Sequence, residues 1–144
     1  NFKSSNFFNN GLINEKKIKE HSQKILSDFS VNTENVELKS QFLSGGNLQK
    51  LIIGRELITS PELLICFNPT WGLDVGAINY IHETLIKINE QKKSIILIST
   101  DTDELLKLCD KICVIFKGKL SNIMNAEEVT SEKLGILMGG GEIV

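Results

Sequence analysis

Hydrophobic positions along this chain form two kinds of pattern, one with the period of an α-helix and one of short unbroken apolar runs. Apolar residues at helical spacing predict five helices: residues 13–29 with Asn14 as cap, 48–58, 78–88, a segment to Leu108 capped by Asp101 or Thr102, and a segment from Thr130 or Ser131 to Met138. The apolar runs predict strands at 63–67, 94–99, 112–116 and 120–124. The first two strands read as buried on both faces.

The order of these elements predicts an α/β domain. A helix separates the strands at 63–67 and 94–99, and parallel strands joined by a helix imply a right-handed crossover. Continuous apolar runs are typical of strands in a parallel sheet covered by helices. We therefore expect a mostly parallel sheet flanked by helices, without an internal repeat or a further domain boundary.

A glycine-rich turn opens the second predicted helix, in the run Leu43-Ser44-Gly45-Gly46-Asn47-Leu48-Gln49-Lys50. Glycine allows close backbone approach, and the first N–H groups of a helix lack partners at the positive end of its dipole. Together these features predict a phosphate-binding loop. Taken alone, the same residues are equally compatible with a flexible turn.

A polar segment follows the strand at 63–67. It reads Asn68-Pro69-Thr70, then Trp71-Gly72-Leu73-Asp74-Val75-Gly76-Ala77. Ligands of open α/β sheets bind at the carboxyl ends of the strands, so we expect a ligand near this segment. Trp71 is predicted either to fill an interface or to cover the loop.

These two segments, in this order and at this spacing, resemble the ATP-binding subunit of ABC transporters. Residues 43–50 are similar to the ABC signature, 63–70 occupy the Walker B position, and Gly72-Leu73-Asp74 resembles the D-loop. The run 69–77 is similar to the second nucleotide-binding domain of the tandem ATPases that energise simple-sugar and nucleoside uptake. The resemblance covers the chain from about Asn10 onward. It implies a partial P-loop NTPase domain, with 1–48 as helical subdomain and signature and 49–144 as part of the core subdomain.

The sequence departs from that family in having no P-loop motif. Gly-x-x-x-x-Gly-Lys-Ser/Thr does not occur in it, and Gly118-Lys119 has Cys113 and Leu120 where the motif needs a glycine and a hydroxyl. We predict a turn between two strands there. The first residue is not Met, so we expect a C-terminal portion of a nucleotide-binding domain whose P-loop strand is missing between 94–99 and 112–116. Unpaired strand edges seek partners, which predicts either a rearranged pairing or recruitment of another chain, including self-association.

The resemblance also assigns catalytic positions that this sequence fills with other residues. A Walker B strand ends in an Asp that holds Mg²⁺ and a Glu that positions water, and these positions are Phe67 and Asn68. The position of the switch histidine is Thr100. A phenyl ring does not bind a hard cation, and an amide does not accept a proton at neutral pH. We therefore predict no catalytic residue, no metal ligand and a degenerate site at Asn68 and Thr100.

The signature is nearly intact, with Asn47 where many relatives have Gln. In the family, two nucleotide-binding domains dimerise head to tail, and each signature faces the partner's P-loop. The resemblance therefore implies that Ser44, Gly45, Gly46 and Asn47, together with Asp74 of the D-loop, contact an ATP held by the partner. ATP and Mg²⁺ are the cofactors of the intact assembly. The chain alone is expected to bind neither tightly and to be inactive.

Partners and location follow from the same resemblance. It implies a partner nucleotide-binding domain, transmembrane permease subunits at the cytoplasmic face of the cell membrane, and indirectly a substrate-binding protein. The permease and the binding protein, not this chain, select the solute. Two alternatives remain: a soluble ABC-type ATPase of translation or DNA repair, which usually needs a carboxylate at position 68, and a non-catalytic dimerisation or regulatory module.

Composition agrees with one globular domain. The 144 residues are 41% hydrophobic and carry a net charge of −2, which gives no electrostatic case for nucleic-acid binding. No apolar run approaches the about 18–20 residues of a membrane span. Cys66, Cys109 and Cys113 lack metal-site spacing and are predicted to be reduced thiols. His21 and His82 lie on predicted helices without a ligand cluster, so structural roles are predicted for both.

Overall fold

The structure is a computed structural model that describes residues 7–9, 12–33 and 35–141. The described chain divides into two compact units. The first comprises the residues up to Glu62 together with Gly72–Ile81, and the second comprises Leu63–Trp71 together with the residues from His82 onward. This is a different partition from the boundary after residue 48 that the resemblance implies, and that boundary remains a prediction.

The first unit is built on two helices. A two-residue antiparallel pair, β1 (Phe8–Asn9) with β2 (Leu12–Ile13), precedes α1 (Glu15–Asp28), and a 3₁₀ turn at Ser40–Phe42 precedes α2 (Gly45–Leu57). The Asn14 side chain accepts a hydrogen bond from the Lys17 N–H, at 3.1 Å. The predicted cap is therefore confirmed, and α1 begins two residues later than the pattern suggested because Ile13 belongs to β2.

A glycine allows α1 and α2 to pack closely. A Cβ at Gly54 of α2 would lie 2.6 Å from Phe29 Cδ2 and 2.9 Å from Ile25 Cγ2, which is closer than carbon atoms approach. Ile25 is buried, as expected for the apolar face of α1. Next to this contact the two helices line a largely apolar groove of about 660 Å³.

A parallel pair of strands begins the second unit. β3 (Leu63–Phe67) pairs with β4 (Ser94–Ile98), and the register runs from Leu63 opposite Ser94 to Phe67 opposite Ile98. The helix α3 (Val75–Glu90) lies between them in sequence. The predicted strand–helix–strand order with parallel pairing is confirmed, and the chain is an α/β protein.

Neither strand of this pair is buried on both faces, so that prediction is wrong for this chain. On one face Leu64 and Cys66 are buried. The register places the remaining large apolar side chains together on the opposite face, where they are 45–72% exposed: Leu63, Ile65, Phe67, Ile96 and Ile98. No described residue covers that face. An unbroken apolar run indicates that both faces of a strand carry apolar side chains. Whether other residues cover each face depends on the rest of the fold.

The remaining elements form a small core in the second unit. In chain order they are α4 (Thr102–Leu108), β5 (Lys111–Ile112), β6 (Ile115–Phe116), β7 (Lys119–Leu120), β8 (Met124–Asn125), a 3₁₀ turn at Ala126–Glu128 and α5 (Ser131–Met138). α4 is capped by Asp101 and α5 by Thr130, each one of two predicted alternatives. Five buried side chains form the core: Ile112, Val114, Ala126, Val129 and Leu134.

The strands predicted at 112–116 and 120–124 are each divided in two, which corrects the prediction. β5 pairs with β8 and β6 with β7, in both cases antiparallel. Between the two pairs the Val114 N–H donates to the Ser121 hydroxyl, at 2.9 Å. The Ser121 N–H donates in return to the Val114 carbonyl, at 2.8 Å, so a side chain makes one of the two bonds between these residues. Hydrophobicity alone does not reveal this pairing.

The turn at Gly118 has the geometry of a hairpin. Lys117 and Gly118, between β6 and β7, both have positive φ, at 45° and 79°. Two consecutive positive φ angles are typical of the type I′ turn that joins antiparallel strands. The predicted turn is confirmed. A P-loop would instead lead into a helix.

A groove lies beside the free edge of β4. In the described chain β4 pairs with β3 alone, and a cavity of about 620 Å³ is lined by α3, β4, α4 and β5. The rearranged pairing that we expected as one outcome is therefore not found in the described residues. Recruitment of another chain and self-association through this edge remain predictions. None of the described helices is long and apolar enough to cross a membrane.

Candidate functional site

The glycine-rich loop opens α2, and Ser44 is its N-cap. Ser44 lies in extended backbone, and its Oγ accepts hydrogen bonds from the Asn47 N–H at 3.4 Å and from Asn47 Nδ2 at 3.0 Å. The helix therefore begins at Gly45, three residues before the first apolar position of the predicted helix. The two glycines belong to its first turn, where N–H groups have no partner within the helix.

Gly46 is packed against the start of α3. A Cβ at Gly46 would lie 2.9 Å from Ala77 Cβ and 3.8 Å from Asp74 Oδ2. Asp74 itself accepts a hydrogen bond from the Ala77 N–H at 2.9 Å, which caps α3. The structure thus brings three predicted site residues, Gly45, Gly46 and Asp74, into one small region of the first unit. Ser44, Gly45 and Asp74 are exposed, whereas Gly46 is buried.

Asn47 joins this loop to the segment that follows α1. Its Oδ1 accepts a hydrogen bond from the Asn32 N–H at 2.8 Å, while its Nδ2 donates to Ser44 Oγ. One turn further along α2, Lys50 Nζ donates to the Ser30 carbonyl at 3.4 Å and lies 4.4 Å from the centre of the Tyr80 ring. Two side chains of α2, Asn47 and Lys50, therefore hold the start of the helix against the segment that follows α1.

The residues at the predicted Walker B and switch positions meet in the second unit. Asn68 follows β3 with a φ of 43°, a conformation that Asn tolerates better than most residues. Its N–H donates to the Ile98 carbonyl at 2.8 Å, and its Oδ1 accepts from the Thr100 N–H at 3.3 Å. The two predicted positions, Asn68 and Thr100, are therefore in direct contact. Trp71 nearby is 85% exposed, so its predicted place in an interface stays a prediction.

The chemistry of this second region does not fit a magnesium ion. Phe67, at the position of the metal-holding Asp, offers no oxygen, and Mg²⁺ binds through carboxylate, phosphate and water oxygens. The Asn68 oxygen already faces a backbone donor, so the side chain turns its NH₂ group away from Thr100. An NH₂ group donates hydrogen bonds and neither binds a cation nor accepts a proton. Within the described ranges, no group of three His, Cys, Asp or Glu side chains is placed to hold a metal.

A buried carboxylate holds the loops that follow β3 and β4. Glu104 of α4 is 2% exposed, and its Oε1 accepts a hydrogen bond from the Thr70 hydroxyl at 2.8 Å. The same oxygen lies 3.1 Å from His82 Nε2 of α3. Thr70 comes two residues after Asn68, and Glu104 four residues after Thr100. This cluster therefore ties the two loops and α3 together inside the second unit.

Sequence reasoning missed this cluster. His82 is predicted to be structural, and its buried contact agrees with that prediction, whereas no motif or spacing in the sequence singles out Glu104. An acidic residue in the first turn is common in surface helices, and sequence alone has no signal that this one is buried.

The three cysteines differ in their surroundings. Burial raises the pKa of the Cys66 thiol to about 11, and the negative charge of Glu104 adds to the rise. Burial likewise raises the pKa of Cys109, with smaller contributions from Asp110 and Glu104. Cys113 is exposed. All three are free thiols in the structure, and a raised pKa makes a thiol less reactive because the thiolate is the nucleophile.

Comparison with solved structures gives the fold class. The chain matches an ABC transporter of the metal-chelate type in an inward-facing conformation, with a TM-score of 0.75 and 18% identity, over 95% of this chain and 54% of that one. It matches an ATP-binding cassette dimer in a post-hydrolysis state with ADP and Pi, with a TM-score of 0.67 and 22% identity, over 82% and 51%. A third match, cbiO1 of Clostridium perfringens, has a TM-score of 0.62 and 28% identity, over 89% and 51%. The chain has the fold of ABC-type ATPases, over about half of their length.

Sequence comparison is more specific. The chain is 43% identical over 133 residues to the nucleoside import ATP-binding protein NupA of Lactococcus lactis, covering 92% of this chain and 26% of that protein. It is 38% identical over 130 residues to the guanosine import ATP-binding protein NupO of Bacillus subtilis, covering 90% and 26%. It is 38% identical to the galactose/methyl galactoside import ATP-binding protein MglA of Vibrio vulnificus, covering 86% and 25%. No protein-family model matches the chain.

The chain is therefore a relative of the ATP-binding proteins of ABC transporters, and specifically of nucleoside and galactose import ATP-binding proteins. The resemblance read from the signature and D-loop is confirmed at this level. The chain spans about a quarter of the length of the curated relatives it matches.

Proposed function

We propose that this chain works as part of the ATP-binding subunit of an ABC importer for sugars or nucleosides, and that it supplies its signature loop to an ATP bound by a partner nucleotide-binding domain. The observation that carries the proposal is the loop itself: an exposed Ser44 caps α2, and Gly45 and Gly46 follow in its first turn. The solute class rests on the printed names of the relatives.

The signature loop fits a triphosphate. Ser44 offers a hydroxyl, Gly45 and Gly46 offer backbone N–H groups that the helix leaves unpaired, and the N-terminus of α2 carries partial positive charge. Phosphate oxygens accept hydrogen bonds and are negatively charged, so each of these features stabilises them. Bound ATP would supply the phosphate that is transferred to water. This chain's part is to orient and neutralise the terminal phosphate.

The chain's own site does not support hydrolysis. Phe67 provides no oxygen ligand for a metal, and Asn68 provides no base at neutral pH. The Asn68 side-chain oxygen accepts a hydrogen bond from the Thr100 N–H. In the proposal these residues, with Thr100, form a degenerate nucleotide site without catalytic function. We expect the chain alone to bind Mg-ATP weakly and not to hydrolyse it.

The partners follow from the same proposal. The signature loop needs a second nucleotide-binding domain, and transport needs permease subunits, which place the chain at the cytoplasmic face of the cell membrane as a peripheral component. A substrate-binding protein takes part only indirectly. The names of the relatives favour import over the soluble ATPases of translation or DNA repair and over a purely non-catalytic module.

A pair of substitutions tests this division of roles. In the assembled transporter, Ser44→Ala removes one donor to the terminal phosphate and should lower the ATPase kcat by roughly a hundredfold. Asn68→Ala removes an amide that is predicted to have no catalytic role and should change kcat by less than about twofold. Steady-state phosphate release measures both. Equal sensitivity of the two positions would contradict the degenerate site.

Titration calorimetry with Mg-ATP tests the remaining expectation on the chain alone. Weak or undetectable heat of binding is expected, since no P-loop motif occurs in the sequence. Tight binding accompanied by steady phosphate release from the isolated chain would overturn the proposed function.

A further inference from the structure

We propose that Asn47 is a positioning residue that turns the Ser44 hydroxyl proton outward, toward the phosphate. This inference rests on the proposed function of the signature loop and adds a specific role for the amide at the position where many relatives have Gln. It is carried by hydrogen bonds among three residues of the first unit, namely Asn32, Ser44 and Asn47.

The orientation of the Asn47 amide follows from its neighbour. The Asn32 N–H is a backbone group, so it can only donate, and it lies 2.8 Å from Asn47. An oxygen must therefore face Asn32, and the NH₂ group must face Ser44 Oγ, 3.0 Å away. The reversed amide would place two donors against each other at the backbone contact.

The same contacts fix the role of the Ser44 hydroxyl. A hydroxyl has one proton to donate and two lone pairs. Asn47 Nδ2 and the Asn47 N–H both donate to Ser44 Oγ, at 3.0 Å and 3.4 Å. With both lone pairs occupied, the remaining hydrogen-bonding capacity of Ser44 is its O–H proton. Ser44 is exposed, so this proton is available to an acceptor such as a phosphate oxygen.

The backbone at Asn32 is well placed to hold this arrangement. The preceding Val31 is buried, and its N–H donates to the Leu26 carbonyl at the end of α1, at 2.9 Å. The Phe29 ring packs at Gly54 of α2. Asn32 therefore follows a segment that is anchored to both helices. Because Asn47 bonds both the Asn32 N–H and Ser44 Oγ, it holds the serine side chain against this segment.

A double-mutant cycle in the assembled transporter tests the proposal. Asn47→Asp keeps the shape of the side chain but replaces the NH₂ donor by a carboxylate oxygen. That oxygen accepts a hydrogen bond from the Ser44 O–H, so the hydroxyl proton points inward. Asn47→Asp should therefore lower the ATPase kcat by roughly a hundredfold, as Ser44→Ala does. In the Ser44→Ala background the same change should cost less than about threefold, because no hydroxyl is left to turn.

The cycle separates positioning from simple charge repulsion. A carboxylate that merely repels the phosphate lowers kcat by the same factor with or without the Ser44 hydroxyl, and equal factors would overturn the proposal. Asn125→Asp is the matched control, because Asn125 is an exposed asparagine whose Nδ2 bonds the nearby Glu128, at 3.0 Å. It should leave kcat within about twofold of the unsubstituted protein.

Amide hydrogen exchange of Asn32, measured by NMR on the chain, is a readout independent of activity. Asn47→Ala removes the acceptor and should accelerate exchange at Asn32 by at least about tenfold. Asn47→Asp keeps an acceptor oxygen there and should leave that rate within about twofold, which also shows that the loop remains folded. Unchanged exchange in Asn47→Ala would overturn the proposal.

The outcomes distinguish this inference from the proposed function. If Ser44→Ala leaves kcat unchanged, the proposed function fails and Asn47 has nothing to position. If Ser44→Ala lowers kcat but Asn47→Asp acts independently of Ser44, the proposed function stands and the positioning role is wrong.

Discussion

The loop at Ser44 and the loops at Asn68 and Thr100 differ in what they present to a ligand. Ser44 and Gly45 are exposed at the start of a thirteen-residue helix and offer hydrogen-bond donors. Asn68 and Thr100 bond each other, and the neighbouring Phe67 offers only a hydrocarbon ring. One region keeps groups that suit a phosphate, whereas in the other the Asn68 side-chain oxygen bonds the Thr100 N–H.

The comparison shows two different ways of holding a loop. Phe67 and Asn68 stand at the predicted Walker B position, and Glu104 ties the loops after β3 and β4 together through Thr70 and His82. The glycine loop depends also on close packing, since Gly46 leaves no room for a side chain beside Ala77. A buried hydrogen-bond cluster holds one region, whereas close packing at Gly46 and the hydrogen bonds of Asn47 to Asn32 and Ser44 hold the other.

Removing the buried carboxylate should have the largest effect on stability. Glu104→Ala leaves the Thr70 hydroxyl and the His82 ring without their buried acceptor, and the free energy of unfolding should fall by about 3 kcal/mol. Urea unfolding of the chain measures this. Glu127→Ala, which removes an exposed carboxylate, is the matched control and should cost less than about 0.5 kcal/mol. Equal effects of the two substitutions would show that the cluster is not a significant support.

Filling the space at Gly46 should have a smaller but clear effect. Gly46→Ala places a methyl group 2.9 Å from Ala77 Cβ, so the start of α2 or α3 must shift, at a cost of about 1–3 kcal/mol. Gly135→Ala is the control, because nothing lies within 4 Å of the added methyl in α5. That change should stabilise the chain by about 0.5–1 kcal/mol. Thermal unfolding that shifts in the same direction for both variants would argue against a steric role of Gly46.

The smallest perturbation is chemical labelling of the cysteines, which probes how well β3 is covered. At pH 8 a maleimide should modify the exposed Cys113 first and Cys66 last, because burial blocks access and raises the Cys66 pKa to about 11. The Cys66 pKa is higher in the folded chain than in the unfolded chain. The free energy of unfolding should therefore fall as pH rises from about 8.5 toward 11. Rapid labelling of Cys66 in the folded chain would mean that this face of β3 is open to solvent.

Local elements could be predicted well because their causes lie close together in sequence. The Asn14 cap acts on Lys17, and the Gly118 turn acts on its two flanking strands. The signature loop was recognised because a serine, two glycines and a helix are adjacent. The division of the strand at 112–116 was not predicted, because the run is apolar throughout and the bond from the Val114 N–H to the Ser121 side chain leaves no signal in that pattern.

Burial was the weakest part of the prediction. The runs at Leu63–Phe67 and Ser94–Ile98 are apolar throughout, yet one face of the pair is exposed. The composition of a strand indicates whether each of its faces is suited to burial. Whether a face is buried depends on which other segments pack against it. Glu104 shows the converse, since this charged residue in the first turn of a helix is 2% exposed.

The sequence by itself determined the class of protein and the α/β order of its elements, because these depend on residue identity and on short-range spacing. Only the tertiary structure decided that Asn47 bonds both Asn32 and Ser44, that Asn68 contacts Thr100, and that Glu104 is buried under Thr70 and His82. Each of these contacts is a hydrogen bond, which requires a short distance and a favourable angle between donor and acceptor. The folded backbone sets that distance and angle.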